Sequence, residues 1–315
     1  MKGGDGVMSG DKINEFLSNY KLYMVRHGYS CGNLYLGKGS PRKKLQGKTR
    51  SDPHLTTVGR DMSDTCVGAT VANPLHTTPE DEAMEELVDW LKARGTSGTD
   101  TDLCDLKSSY HFASPLIRAQ ETSVRMFAPE KLIILPYCGE HQGWVDDHLL
   151  KNNDNTPYRK IWEDGDQAAI QGRISQALGM VDGSVKNIDV SLFCDQELPP
   201  YEIAKSQPDI IKFFEGLIGY VEKHRIPSHS HLYVVTHSHF MLSLGLHREG
   251  NTEGKPFNNS IYWVKSFNVR TNKFTDSMMI KPGYDEGGIK EIVDFSPSIS
   301  GNCDFDKIQR EGMGL

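Results

Sequence analysis

The chain has 315 residues with a formal net charge of −7, 37% hydrophobic and 24% charged residues. That length buries a sizeable core and holds one large α/β domain or two smaller ones. The acidic balance argues against broad nucleic-acid binding, which needs a basic face, and no apolar run approaches the roughly 20 residues that span a membrane.

The first stretch of the chain lacks the basic start and apolar centre of a secretory leader. Six cysteines, at 31, 66, 104, 138, 194 and 303, show neither CxxC nor zinc-ligand spacing. Reduced thiols in a cytoplasmic protein are the expectation.

In chain order, 11–17 reads as a short helix leading into a strand. Leu22, Tyr23, Met24 and Val25 form an apolar, partly β-prone run, the pattern of a buried strand in a parallel sheet. The run stops at Arg26-His27-Gly28. An arginine and a histidine therefore stand at a strand's carboxyl end, where open α/β sheets bind ligands. Gly28 allows close approach of backbone to a ligand. Residues 37–50 follow as a loop carrying Arg42, Lys43, Lys44, Lys48 and Arg50. It reads either as a solvated basic loop or as a cationic rim that draws in a polyanionic substrate.

Thr56 or Thr57 then caps a helix expected over 57–72. A second, acidic helix is expected over 79–94, with Pro79 in its first turn and Gly95 at its end. The span 95–105 is loop-like. Residues 110–113 form a second strand that ends at Ser114, with Arg118, Ala119 and Thr122 beyond it. A third strand over 132–135 leads to Glu140, Gly143 and Trp144. The span 145–208 carries no placeable motif and reads as an insertion over the carboxyl edge of the sheet, where specificity usually resides. An amphipathic helix over 209–224 precedes a fourth strand over 232–236, which delivers His237-Ser238-His239. A further strand includes Asn258, Ser260 and Ile261, and from about 270 the chain is expected to be an irregular tail.

These segments together resemble the histidine phosphatase superfamily, the phosphoglycerate-mutase-like enzymes. The family's first motif, Arg-His-Gly-x-Ser/Thr-x-x-Asn, is matched by Arg26, His27, Gly28, Ser30 and Asn33. Its second, Ser-x-x-x-Arg-Ala-x-x-Thr, is matched by Ser114, Arg118, Ala119 and Thr122. His237 stands where the family has its second essential histidine, with Ser238 in place of the usual Gly or Ala. The family's proton-donating Glu is best matched by Glu140, although its distance to Gly143 is one residue short. The resemblance covers about 20–60, 108–145 and 230–265. It implies a single domain over 1–315, of α/β class, with three layers (α/β/α) and a mostly parallel central sheet.

Two arginines can nearly neutralise a phosphate monoester dianion, each holding two oxygens at once. The resemblance implies that His27 attacks phosphorus, that His237, Arg26 and Arg118 hold the transferring group, and that Glu140 protonates the leaving oxygen. Gly28, Ser30, Asn33 and Ser238 are then substrate-binding. A metal-independent phosphatase acting on a small phosphorylated molecule or a phosphoprotein is expected, without a cofactor. Three alternatives stand beside it. One is a phosphoglycerate mutase, which carries a longer signature around its acid than Gly139-Glu140-His141-Gln142 offers. Another is a phosphate-binding scaffold without turnover. The third is a metal site built on His229, His231, His237 and His239, which lacks the carboxylates or cysteines at set spacing that such sites need. Oligomeric state is not encoded in any of these patterns.

Overall fold

The computed structural model describes residues 8–30, 55, 59–60, 63, 109–140, 166–179, 187–194, 198, 200–204, 208–247 and 254–281. The basic loop, Asn33, the helix expected over 79–94 and nearly all of that expected over 57–72 lie outside these residues.

Helix α1 (Gly10–Asn19) begins at Ser9, whose hydroxyl accepts from the Lys12 amide at 3.2 Å. This replaces one of the hydrogen bonds a helix start lacks. Strand β1 (Lys21–Arg26) follows at once, and it is buried from Leu22 to Arg26. Next come β2 (Ser109–Ala113), α2 (Ile117–Phe127) and β3 (Leu132–Ile134). Helix α3 (Gln167–Gly179), β4 (Ile188–Asp189), α4 (Ser191–Cys194) and α5 (Pro200–Ala204) follow. The remaining elements are α6 (Ile210–Lys223), β5 (His231–Thr236), α7 (Ser238–Ser243), β6 (Ile261–Asn268) and β7 (Lys273–Lys281).

The seven strands form one sheet in the order β4-β3-β2-β5-β1-β6-β7. The strands from β4 to β1 are parallel, and β6 and β7 join antiparallel. Alternation of side chains then sends successive residues to opposite faces. Leu22, Met24, Leu232 and Val234 pack with α1 and with Phe213, Phe214 and Leu217 of α6. Tyr23, Val25, Tyr233 and Val235 pack with Ile117 and Phe127 of α2 and Ile170 and Ile174 of α3. The fold is therefore three-layered, α/β/α, around a mostly parallel sheet, and both faces of β1 and β5 are apolar because helices cover both. Each large side chain buried this way contributes roughly 1.5–3 kcal/mol.

Two regions differ from the sequence reading. Residues 273–281, expected in an irregular tail, form β7, which pairs with β6. The turn between them is held by Asn268, whose side-chain oxygen accepts from the amides of Arg270 and Thr271. As an edge strand it buries Phe274 while Thr275, Asp276, Ser277 and Met278 stay exposed, so no apolar alternation marks it. In the unassigned stretch before α6, α3 joins one layer and β4 extends the sheet edge beside β3. Among the described residues no helix is long and apolar enough to cross a membrane.

Candidate active site

Strand register assembles the site. Arg26 pairs with Thr236 across the β1–β5 ladder, so the next residue on each strand is a histidine. The His27 amide donates to the Thr236 carbonyl at 2.9 Å, and the rings of His27 and His237 lie 5.0 Å apart. That is the spacing of neighbouring strands carried into two side chains. On its other side β1 is held by the 258–260 segment: the Arg26 amide donates to the Ser260 carbonyl and the Asn259 amide to the Arg26 carbonyl, both at 3.1 Å.

The second motif arrives from β2. Ser114 follows the strand, its amide donating to Val235 at 3.0 Å, and its hydroxyl lies 2.6 Å from His237 Nε2. Arg118 sits in the first turn of α2. Thr122, one turn on, donates to the Arg118 carbonyl at 2.7 Å and accepts from the Gly28 amide at 2.8 Å. The two motifs are thus tied to each other through Thr122.

Glu140 comes from the turn after β3. Tyr137 takes a left-handed conformation (φ 62°), and Thr236 donates to the Cys138 carbonyl, which pins the turn onto β5. The Glu140 carboxylate then meets Arg118 Nη2 at 3.1 Å, His237 Nδ1 at 3.4 Å and His239 Nδ1 at 2.6 Å. Arg118 Nε also lies 3.3 Å from His27 Nε2. His27, Arg118, Glu140 and His237 therefore converge in one cluster. Arg26 is buried beside them, its guanidinium donating to the Pro256 carbonyl.

The other expected residues fall differently. Ser238 is buried and opens α7, while Ser30 is buried and bridges to Leu55. Gly28 is constrained by protein: a Cβ there would stand 2.8 Å from the Gly59 carbonyl and from Ser63 Oγ. Ser63 in turn accepts from the Asn259 side chain at 2.9 Å. His239 is the contact that the motifs did not single out, and its two-residue offset from His237 was the signal available.

The protonation states follow from burial and charge. A carbonyl only accepts, so the 2.6 Å contact of His27 Nδ1 with the Gly28 carbonyl places a proton on Nδ1 and leaves Nε2 unprotonated, its lone pair accepting from Arg118 Nε at 3.3 Å. Burial pushes the His27 pKa well below its usual value, helped by Arg118, His237 and Arg26 and opposed by Glu140. Burial and then Arg118 lower His237 to about 4. Both imidazoles are thus neutral near neutral pH. Burial acts to raise the Glu140 pKa, but hydrogen bonds from His237 and His239, and the charge of Arg118, hold it well below the usual carboxylate range.

His27, Glu140 and His237 bring one ligand atom each within 4.8 Å of one another, close enough to share a metal ion. Arg118 already faces two of these three residues, at His27 Nε2 and Glu140 Oε2. A divalent cation there would be opposed by that guanidinium and by Arg26, whereas an anion would be held by both. The cluster combines a neutral imidazole whose unprotonated Nε2 faces a guanidinium, a second guanidinium, a second imidazole and a carboxylate. It can hold a dianion, attack it and move a proton.

Several solved structures are similar to the chain, two of them as follows. One is a histidine-to-alanine mutant of phosphoserine phosphatase from Entamoeba histolytica in complex with phosphoserine, at 13% identity and a TM-score of 0.32, over 83% of this chain and 95% of that one. The other, from Escherichia coli and described as an alpha-ribazole-5'-phosphate phosphatase, has 12% identity and a TM-score of 0.34, over 84% and 97%. No family model and no curated protein matches the sequence.

Proposed function

We propose that the protein is a metal-independent phosphatase of the histidine phosphatase type, which hydrolyses a phosphorylated small molecule or phosphoprotein through a phosphohistidine on His27. The observation that carries this reading is the His27 ring, tied by Nδ1 to the Gly28 carbonyl with Nε2 turned to Arg118. A nucleophilic nitrogen is thereby aimed at the place where an arginine fork would hold phosphate oxygens.

His27 Nε2 forms a bond to phosphorus as the ester P–O bond breaks. Arg26 and Arg118 spread the charge of the transferring group, and His237 supplies a further hydrogen bond from the adjacent strand. Glu140 gives its proton to the leaving oxygen. Water then attacks phosphorus, the P–Nε2 bond breaks, and Glu140 takes the proton that water gives up. In the free enzyme Glu140 is ionised and paired with Arg118. A bound dianion engages Arg118 and adds negative charge beside the carboxylate, and both effects raise its proton affinity for the first step.

The test is release of phosphate from p-nitrophenyl phosphate with excess EDTA, for the wild type beside His27→Ala. EDTA-resistant turnover by the wild type and none by a folded His27→Ala protein are expected. Full turnover by His27→Ala, or loss of wild-type activity to EDTA, would sink the reading.

A further inference from the structure

Glu140 must gain a proton and lose one in every turnover of the proposed phosphatase, yet its carboxylate is largely enclosed. Its side chain is 14% exposed and that of His237 is 0% exposed. The two carboxylate oxygens face different groups. Oε2 meets Arg118 at 3.1 Å and His237 at 3.4 Å, whereas Oε1 meets His239 Nδ1 at 2.6 Å. The His239 side chain is 35% exposed. Among the described residues, the titratable and charged groups around this carboxylate are Arg118 from α2, His237 and His239 at the β5–α7 junction, and His27 after β1. An arginine does not give up its proton. His27 Nδ1 is committed to the Gly28 carbonyl and His237 Nε2 lies against Ser114. His239 is the imidazole of this group that reaches solvent.

We propose that His239 is a proton relay, a positioning residue that passes protons between solvent and Glu140; this rests on the phosphatase reading above. An imidazole can take a proton at one nitrogen and release another from the second. Before ester cleavage, His239 accepts a proton from solvent at Nε2 and gives its Nδ1 proton to Glu140 Oε1. The protonated carboxyl then supplies the leaving oxygen. After water attacks the phosphohistidine, the proton accepted by Glu140 returns to His239 Nδ1, and the Nε2 proton leaves to solvent. The imidazole ends each cycle in the tautomer in which it began.

The experiment uses the full chain with p-nitrophenyl phosphate, whose leaving group needs no proton. With His239→Ala, the initial burst of nitrophenolate should keep its rate, because that step bypasses the relay. Steady turnover, which then waits on hydrolysis of the phosphohistidine, should fall roughly ten- to a hundredfold. Added imidazole should restore it in proportion to concentration. A second variant, His239→Asn, keeps a side-chain donor for Glu140 Oε1 but cannot take up one proton and release another, and it should stay slow. Wild-type turnover in His239→Asn would reduce His239 to a hydrogen-bond donor and overturn the relay. Unchanged turnover in His239→Ala, or a loss that imidazole does not repair, would overturn it as well. If the wild type itself gives neither phosphate nor an acid-labile phosphoenzyme, the phosphatase reading fails and the relay falls with it.

Discussion

Arg118 Nη2 and Glu140 Oε2 lie 3.1 Å apart with both side chains largely buried, 8% and 14% exposed. Hydrogen bonds from His237 and His239 and this pair keep Glu140 ionised, and in the proposed mechanism Arg118 stays occupied until a substrate competes for its guanidinium. Because the carboxylate is hydrogen-bonded on both oxygens, its position is set before substrate arrives.

Glu140→Gln keeps the size and hydrogen-bonding reach of the side chain and removes its proton transfer. Turnover of an alkyl phosphate, whose leaving oxygen needs a proton, should drop by about 10²- to 10⁴-fold. The nitrophenolate burst from p-nitrophenyl phosphate should drop far less. Single-turnover rates of the phosphorylation step on the two esters check this, and equal losses in that step would take the donor role from Glu140.

In the proposed mechanism His27 attacks as the neutral imidazole, and burial holds its pKa well below the usual value. Protonation therefore removes the nucleophile only at a pH well under 6.5. The acid limb of kcat/KM for p-nitrophenyl phosphate should lie below that value, once the ionisation of the substrate is subtracted. A limb centred near 6.5 would mean that His27 titrates as a solvated imidazole.

Gly59 packs directly against the first motif. A Cβ there would lie 1.9 Å from the Tyr29 carbonyl oxygen, backbone that cannot swing aside. Gly59→Ala should destabilise the protein by roughly 1–3 kcal/mol or more, as overpacking does, and should also lower activity by shifting Gly28 and His27. Urea unfolding checks the first effect through its midpoint at unchanged slope.

His111 is buried in β2, stacked on Tyr233 at 5.3 Å and tilted against Phe127 at 4.9 Å. Burial lowers its pKa from 6.5 to about 3. The unfolded chain therefore binds a proton between those values that the folded chain refuses, so stability is lost as pH falls from 6.5 towards 3. The slope from this group is about 1.4 kcal/mol per pH unit. His111→Phe should flatten the acid side of a plot of unfolding free energy against pH. Some slope should remain, because His27 and His237 are shifted in the same direction.

The fold class and the parts of the site were written in local patterns. Residues 22–25 and 232–235 are apolar on both faces because they are central strands covered on both sides, and a histidine follows the end of each strand. A strand end carries its chemistry in adjacent letters, so Arg26, His27, Arg118 and His237 were legible from sequence and resemblance. The tertiary structure decided how they meet. The pairing of Arg26 with Thr236 sets the two imidazoles side by side, and the Thr122 bridge to Gly28 ties helix α2 to strand β1. The edge strand β7, with its mainly polar, exposed surface, carries no periodic signal, since hydrogen bonds to β6 rather than apolar burial define it. The contact of His239 with Glu140 joins the first turn of α7 to the turn after β3, far apart in the chain, and only packing of β3 and β5 in one sheet brings them within 2.6 Å.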